Sequence, residues 1–361
     1  MIDVHPIADD EEWNAYVERS AGGSAFHHSE FLRAIATETE TDLDLLVGKN
    51  GEHPIGIFPV FSGRKGPFRT AFSPPPEAGI PHVGPATMLD PNIKYRKATK
   101  RTNEFVEACV EWIDDEIDPH YVRIVPNTAF DEVRGFRWLG FDVTPRFTYE
   151  LDVGRGEAEL LRSFSRDART SIQDSYDPRF AVTDGGEQVL AEAEARASDV
   201  ESLDPAYTIE TGGIETVEYL SNRLKERFAE QGEEFPISTE FLRTVYHELP
   251  DGTVEAYEFR VDGEPVSGRI SLFHGGRLTF WQGVPKPTVD VDLPINDLIN
   301  WHSMREARER DCAVAELSGA NVQRLWDYKA KFNPELATYY ILERTAPAAA
   351  PALKLYKWWN T

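Results

Sequence analysis

The sequence predicts an α/β (α+β) protein built from two tandem copies of one domain, each a mixed β-sheet flanked by helices. Three observations carry this. The stretch "LLVGKNGEHPIGIFPVF" is answered by "YEFRVDGEPVSGRISLF": each reads strand, Asn-Gly or Asp-Gly turn, Glu, a nearby Pro, Gly, then a strand ending in Phe. Such dipeptides take the positive φ values that tight hairpins need. Later elements correspond too, because "VRIVP", a helix and "RFTYELDV" in the first half match "AVAELSG", a helix and "TYYILER" in the second. A repeat of about half the chain implies domain duplication and not a solenoid of short units. Finally, Gly276 to Phe332 reads strand, helix, strand, helix. A parallel crossover of that kind puts the residues after each strand on one sheet edge, where α/β proteins bind ligands.

Bulk properties bound the function. A chain of 361 residues suits two domains, each able to bury its own core. Its 62 acidic and 38 basic residues give a formal net charge of -24, spread along the chain, with Arg outnumbering Lys. One reading is a generic acidic protein; the preferred one is adaptation to concentrated salt, where a Debye length of about 3 Å near 1 M lets dense carboxylates repel little. This field opposes a nonspecific grip on nucleic-acid phosphates, although a local basic pocket stays open. Cys109 and Cys312 are too few for a disulfide framework or a thiolate metal site, which points to a reducing cytoplasm. No run approaches 18 apolar residues and "MIDVHPIADDEEW" lacks a basic and apolar signal, so a soluble protein without a transmembrane segment is expected.

In chain order, "ADDEEWNAYVERS" has the acidic first turn of a helix, and "HSEFLRAIATETE" is a second helix capped by Ser29. Two strands follow around Asn50-Gly51. Pro74 to Pro76 exclude helix and central strand from "FRTAFSPPPEAGIPHVGPATML", a stiff loop that is either a connector or a wall of a binding cleft. The helix "YRKATKRTNEFVEACVEWIDDEI" starts with basic residues that oppose its dipole, suited to a phosphate or anionic partner or simply to solvent. A strand "HYVRIVP", a short helix ending at Gly140 and the long strand "FDVTPRFTYELDV" close a first domain at 1–152.

The second domain spans 153–345 and leaves a tail at 346–361. It opens on a helix "EAELLRSFSRDARTSIQDSY", whose Leu161, Phe164, Ala168 and Ile172 form a core stripe. Arg162, Arg166 and Arg169 recur on a neighbouring face, fit either to hold a phosphate or carboxylate through forked hydrogen bonds or to pair with Asp and Glu. Strand "RFAVTD", helix "GEQVLAEAEARASDV", a mobile loop "ESLDPAYTIETGG" and two more helices lead to the second hairpin.

Hairpin strands followed by helix, strand, helix and strand is the order of the N-acetyltransferase (GNAT) fold, and the chain resembles the FemABX family of peptidyl and aminoacyl transferases and its GNAT-like relatives. The resemblance rests on the tandem arrangement, "SFSRDARTSI", "FWQGV" before "LPINDLINWHSMREA", "ELSGAN" and above all "DYKAKFNPELATYY". It implies a splayed sheet in each domain and transfer of an acyl group from an activated donor, acyl-CoA or aminoacyl-tRNA, onto an amine of a nucleotide sugar, glycan or peptide precursor. It also implies that Tyr328-Lys329-x-x-Phe332 matches an aromatic-Lys-x-x-Phe motif and that Arg169 sits where relatives keep an Arg before an Ile. Two departures stand: there is no Arg/Gln-x-x-Gly-x-Gly/Ala pyrophosphate loop, and no coiled-coil arm between Gly213 and Leu249. The acidic surface disfavours tRNA.

Acyl transfer needs a neutral amine, a base or water path, and positive charge where the oxyanion develops. Lys329 is the candidate catalytic residue for the last role, or for binding a phosphate, while a surface cation is the plain alternative. Trp281 and Tyr328 can stack on a nucleobase, pantetheine or sugar, or pack in the core. Asn321 reads as a helix cap or a ligand contact. His82, Arg166, Arg169 and Phe332 complete the candidate substrate site, and Glu316 is a candidate base. No His/Asp/Glu set has metal-ligand spacing, so no metal and no bound cofactor are expected. The tail "ALKLYKWWNT" either docks on a domain or touches a membrane surface. A second reading is a non-catalytic protein that uses the duplicated fold to bind a ligand or partner.

Overall fold

The computed structural model describes residues 2–76, 78–176, 207–283, 289–347 and 349–351. The strand, helix and start of the loop expected between residues 177 and 206, the Pro-containing link at 284–288 and the tail at 352–361 lie outside them. In chain order the elements are β1 (Asp3–Pro6), α1 (Asp10–Arg19), α2 (Ser29–Glu38), β2 (Asp42–Asn50), β3 (His53–Lys65), β4 (Phe68–Ser73), β5 (Ala86–Thr87), α3 (Tyr95–Trp112), β6 (Tyr121–Ile124), α4 (Arg134–Trp138) and β7 (Asp142–Asp152). They continue with α5 (Glu157–Ser163), α6 (Arg166–Ser175), β8 (Tyr207–Gly212), α7 (Ile214–Glu230), α8 (Thr239–Glu248), β9 (Val254–Val261), β10 (Glu264–His274), β11 (Arg277–Gly283), α9 (Ile295–Glu309), β12 (Val314–Glu316), α10 (Gln323–Ala330) and β13 (Glu335–Thr345).

The chain forms two compact units, Met1–Arg146 with Thr338–Thr361, and Phe147–Ala337. Set against the contiguous division 1–152 and 153–345, two strand segments change sides. The end of β13 pairs antiparallel with β6 in unit 1, Leu342 opposite Ile124 through Thr345 opposite Tyr121. The end of β7 pairs with β12 in unit 2, Glu150 opposite Glu316 through Asp152 opposite Val314. Each unit thus completes its sheet with a strand supplied from the other half of the sequence.

In unit 1 the strand order is β1-β2-β3-β4-β6, with β5 on β3. There β4 and β6 run parallel, in register from Thr70 and Tyr121 to Ser73 and Ile124. Helix α3 contributes Phe105, Val106, Cys109 and Val110 to a core with Leu46, Phe58, Val60, Phe136 and Leu342. Each large side chain so buried stabilises the unit by roughly 1.5–3 kcal/mol. Helix α2 does start at Ser29, but its cap position is His28 and makes no side-chain capping bond. The Ser29 N–H instead donates to Asn14 Oδ1 at 2.9 Å.

In unit 2 the order is β7-β12-β11-β10-β9-β8, with β11 and β12 the parallel pair. The β9–β10 turn takes the expected form, Asp262 and Gly263 having φ of 53° and 83°. The single helix expected over 157–176 is two, α5 and α6, because Ser165 interrupts it. Its side chain accepts from the Ala168 N–H and its own N–H donates to Lys331 O at 2.8 Å. Phe164, Ala168 and Ile172 still enter the core, with Leu161 packed half-buried against it. The described part of the expected loop, Tyr207–Gly212, is strand β8, paired antiparallel with β9. Helix α9 packs on β9, β10, β11 and α6. Besides Leu298, Ile299, Trp301 and Met304, it therefore buries the polar Asp297, Asn300 and Ser303. Among the described residues no helix is long and apolar enough to cross a membrane.

Candidate active site

The chemistry of unit 2 concentrates where its parallel pair ends. The last ladder partners of β11 and β12 are Thr279 and Glu316. Beyond them β11 stays with β10, where a register shift between Ser271–Phe280 and Ile270–Gln282 makes Trp281 the extra residue of a bulge. The chain after β12 stays with β7, the Leu317 N–H donating to Tyr149 O at 2.8 Å. Two left-handed residues then turn it, Ser318 at φ 55° and Gly319 at φ 70°.

Lys329 reaches back from the last turn of α10 into this turn. Its Nζ donates to Leu317 O, and to Ser318 O at 2.8 Å. Burial pushes its pKa down from 10.5 to about 7, the Arg269 charge adding to that and Glu316 opposing it. A neutral lysine amine has two hydrogens and one lone pair. The two carbonyls take both hydrogens and leave the lone pair to accept a proton.

A buried polar chain fixes the helix that carries this lysine. Arg269 on β10 donates through Nη2 to Asn300 Oδ1 at 2.8 Å, and Asn300 Nδ2 donates to the Tyr328 hydroxyl at 2.9 Å. The Arg269 guanidinium lies 4.2 Å from the centre of the Phe280 ring, and burial lowers its pKa to about 10. Burial, followed by the Asp297 charge, holds the Tyr328 hydroxyl well above its ordinary range. Lys331 Nζ is paired with Asp297 at 2.6 Å and sits 4.4 Å from the centre of the Tyr328 ring. Glu316, fully buried, accepts from the Thr148 hydroxyl at 3.0 Å and lies 3.7 Å from Arg277.

The candidate residues are distributed unevenly around this centre. Tyr328 and Lys329 belong to it. Phe332 is a core residue, its ring edge-on to Phe164 at 5.3 Å and to Tyr328 at 5.9 Å, and so supports α10 from below. Trp281 is half-buried with its ring 6.2 Å from Phe241 of α8. Asn321 neither caps α10, whose cap position is Val322, nor faces outward as a free amide. Its Oδ1 accepts from the Phe147 N–H at 3.0 Å and its Nδ2 donates to Phe147 O at 2.7 Å, extending the β7 edge. Arg166 is exposed, and Arg169 donates through Nη1 to Arg162 O at 3.3 Å. His82 lies in unit 1, buried between Phe26 and Tyr339 with ring centroids at 5.9 and 6.0 Å. Sequence reasoning missed Arg269, Asp297, Asn300 and Thr148. The available signal was two polar residues three apart, Asp297 and Asn300, on the side of the helix that also carries Leu298 and Met304.

A second polar cluster occupies another face of α9. His302 Nδ1 shares a hydrogen bond with the Tyr176 hydroxyl at 2.9 Å, and burial lowers the imidazole pKa to about 4. The Tyr257 hydroxyl donates to Glu306 at 2.5 Å, and Arg305 pairs with Glu157 at 3.1 Å. At neutral pH this His is uncharged, and the cluster ties α9 to α5, α6 and β9.

Residues 166–330, all within unit 2, match the family model of the acetyltransferase (GNAT) domain. No curated protein matches the chain. Among solved structures FemX has a TM-score of 0.64 at 14% identity, covering 94% of this chain and 96% of that one. A conserved protein of unknown function from Bacteroides thetaiotaomicron VPI-5482 has a TM-score of 0.55 at 13% identity, covering 96% and 100%. A tandem GNAT protein from the clavulanic acid biosynthesis pathway has a TM-score of 0.49 at 11% identity, covering 96% and 98%. The fold is thus that of FemX over nearly the whole chain, and the GNAT domain makes the protein an acyltransferase by class.

Proposed function

With residues 166–330 a GNAT acetyltransferase domain, we propose that the chain is an N-acyltransferase that moves an acyl group from an acyl-CoA thioester onto an amine of a nucleotide sugar, glycan or peptide precursor. The observation that carries this reading is Lys329: a half-buried side chain whose amine is shifted by desolvation to a pKa of about 7, with main-chain carbonyls holding its hydrogens, in the matched domain. Groups tuned to ordinary pH inside a folded domain are what proton transfer requires. The acceptor amine attacks the thioester carbonyl, forming the C–N bond, and the proton it sheds passes to the Lys329 lone pair directly or through one water. Collapse breaks the C–S bond, the thiolate takes up a proton, and an amide and a free thiol leave. Arg269, Asn300 and Tyr328 hold α10 so that the amine keeps its position. Lys329 is thereby read as the base; its protonated form has a third hydrogen for the developing oxyanion.

The test is a mass-spectrometric screen of amine acceptors with acyl-CoA and with aminoacyl-tRNA, scored for amide formation and thiol release. Amide with matching thiol is expected from an acyl-CoA; turnover with aminoacyl-tRNA alone would replace the donor, and none with any donor would defeat the reading. We propose separately, from the -24 charge and the two cysteines, that the protein works in a salt-rich, reducing cytoplasm. Its melting temperature should rise from low to molar KCl as screening relieves the -24 charge, and a flat or falling curve counts against that placement.

A further inference from the structure

The start of α3 and the whole of α4 form one face of unit 1 with a chemistry unlike the rest of the chain. In a protein with 62 acidic residues, the first turn of α3 has none, and Lys94, Arg96 and Lys97 stand exposed there. Together with exposed Arg137 of α4, they make no ion pair with any described residue. Lys100 and Arg134 do, with Glu104 and Glu132. Two aromatic rings lie among these cations, Tyr95 at 76% and Trp138 at 69% exposure, the most exposed of the large apolar side chains described. Arg134 joins the two helices by donating to the Tyr95 hydroxyl at 3.4 Å, and Trp138 follows it by four residues on the same side of α4.

We propose that this α3–α4 face seats unit 1 on a lipid bilayer surface bearing anionic phosphate headgroups. Tyr and Trp settle at the headgroup level with the ring in the apolar boundary and the polar tip in water, while neighbouring Lys and Arg reach the phosphates. An uncompensated basic helix start is unfavourable in solution, and an opposing anionic surface removes that penalty. A nucleic acid fits less well. The -24 charge of the chain opposes either anionic surface and salt weakens both sets of phosphate contacts, but the bilayer offers an apolar boundary in which both rings are buried, a contribution that survives screening. The inference uses no residue of the acyl-transfer centre and stands whether or not that reading does.

Cosedimentation of the full chain with phosphatidylglycerol–phosphatidylcholine vesicles tests it. Pure phosphatidylcholine vesicles and a mixed-sequence RNA are run alongside. Binding to the anionic vesicles is expected. It should fall about tenfold or more in Tyr95→Ser with Trp138→Ser, and likewise when Lys94, Arg96, Lys97 and Arg137 are all changed to Gln, with the melting temperature unchanged because all six side chains are exposed. Vesicle binding that neither set of changes reduces overturns the proposal. So does a wild-type chain that ignores the vesicles, including one that binds the RNA instead.

Discussion

Among the described residues each unit has a parallel strand pair, β4 with β6 and β11 with β12, and the two pairs end differently. In unit 1 the pairing of β4 with β6 is continued by the chain beyond it. The Val125 N–H donates to Ser73 O at 2.7 Å, and the Pro-rich loop returns so that the Val83 N–H donates to Val125 O at 2.9 Å. Val83, Val125 and Ala78 are fully buried there. The stiff loop thus serves its own unit as a connector and closes the strand ends with apolar side chains. In unit 2 the pair stops at Thr279 and Glu316, and the turn beyond holds an amine. An amine removed from water costs stability unless its hydrogens are bonded, and here two main-chain carbonyls take them; under the proposed function the amine is kept for proton transfer. Duplication kept the topology in both copies and sealed one of them.

Removing the amine should break this contrast most severely. Lys329→Met is expected to lower kcat/KM by about 10² to 10⁴, the range for loss of a general base. The wild-type rate should rise about tenfold per pH unit below a pKa of about 7 and level off above it. A rate that falls above pH 7 would show that the ammonium is the working form and remove the base role. The stability sign follows from the same shift. Between about 7 and 10.5 the unfolded chain holds a proton that the folded one has released, so the Lys329 contribution to stability improves as pH rises through that window. Melting of Lys329→Met should lack that slope, and equal slopes would mean that the amine is not buried in solution.

The turn residue sharpens the contrast without touching the amine covalently. A Cβ on Gly319 would stand 2.9 Å from Lys329 Nζ, the movable end of a flexible side chain. Gly319→Ala is therefore expected to displace the amine and cost about tenfold or more in kcat/KM, with only about 1 kcal/mol of stability from its positive φ. Wild-type kinetics in this variant would disprove the assigned position of the amine.

What was legible in the sequence was what local chemistry dictates. Both hairpins could be read from their dipeptides, although only Asp262-Gly263 forms the turn as expected; in the first, Asn50 ends β2 opposite His53 and Gly51 alone takes positive φ. Lys329 is found through the resemblance of its surroundings to a family motif, and its expected oxyanion or phosphate role takes it as a cation unless desolvated; the desolvation itself is a tertiary property that the sequence does not display. Arg269, Asn300 and Asp297 were invisible for the same reason: an Arg in a strand and two polar residues in a helix look solvent-facing until the sheet and α10 cover them. The strand exchange escaped because the ends of β7 and β13 have the pattern of any strand, and which sheet receives them depends on long-range pairing. For Arg166 and Arg169, helical periodicity shows a shared face without showing what lies opposite.

The smallest effect on chemistry should come from a positive-φ glycine in the loop of the sealed unit. Gly84, at φ 69°, would place a Cβ 2.5 Å from Pro126 Cα and 2.8 Å from Pro126 N, main-chain atoms that cannot swing aside. Gly84→Ala should therefore push the returning loop off β6 and cost about 1–3 kcal/mol, read as a lower melting temperature. The amine of unit 2 is untouched by this change, so kcat/KM measured well below the new melting point should stay within about twofold of wild type. The pair Gly84→Ala and Gly319→Ala then separates sealing from chemistry: one should lose stability and keep rate, the other lose rate and keep most of its stability. If Gly84→Ala lost rate at temperatures where it is fully folded, unit 1 would be contributing to turnover, and the assignment of the reaction to unit 2 alone would fall.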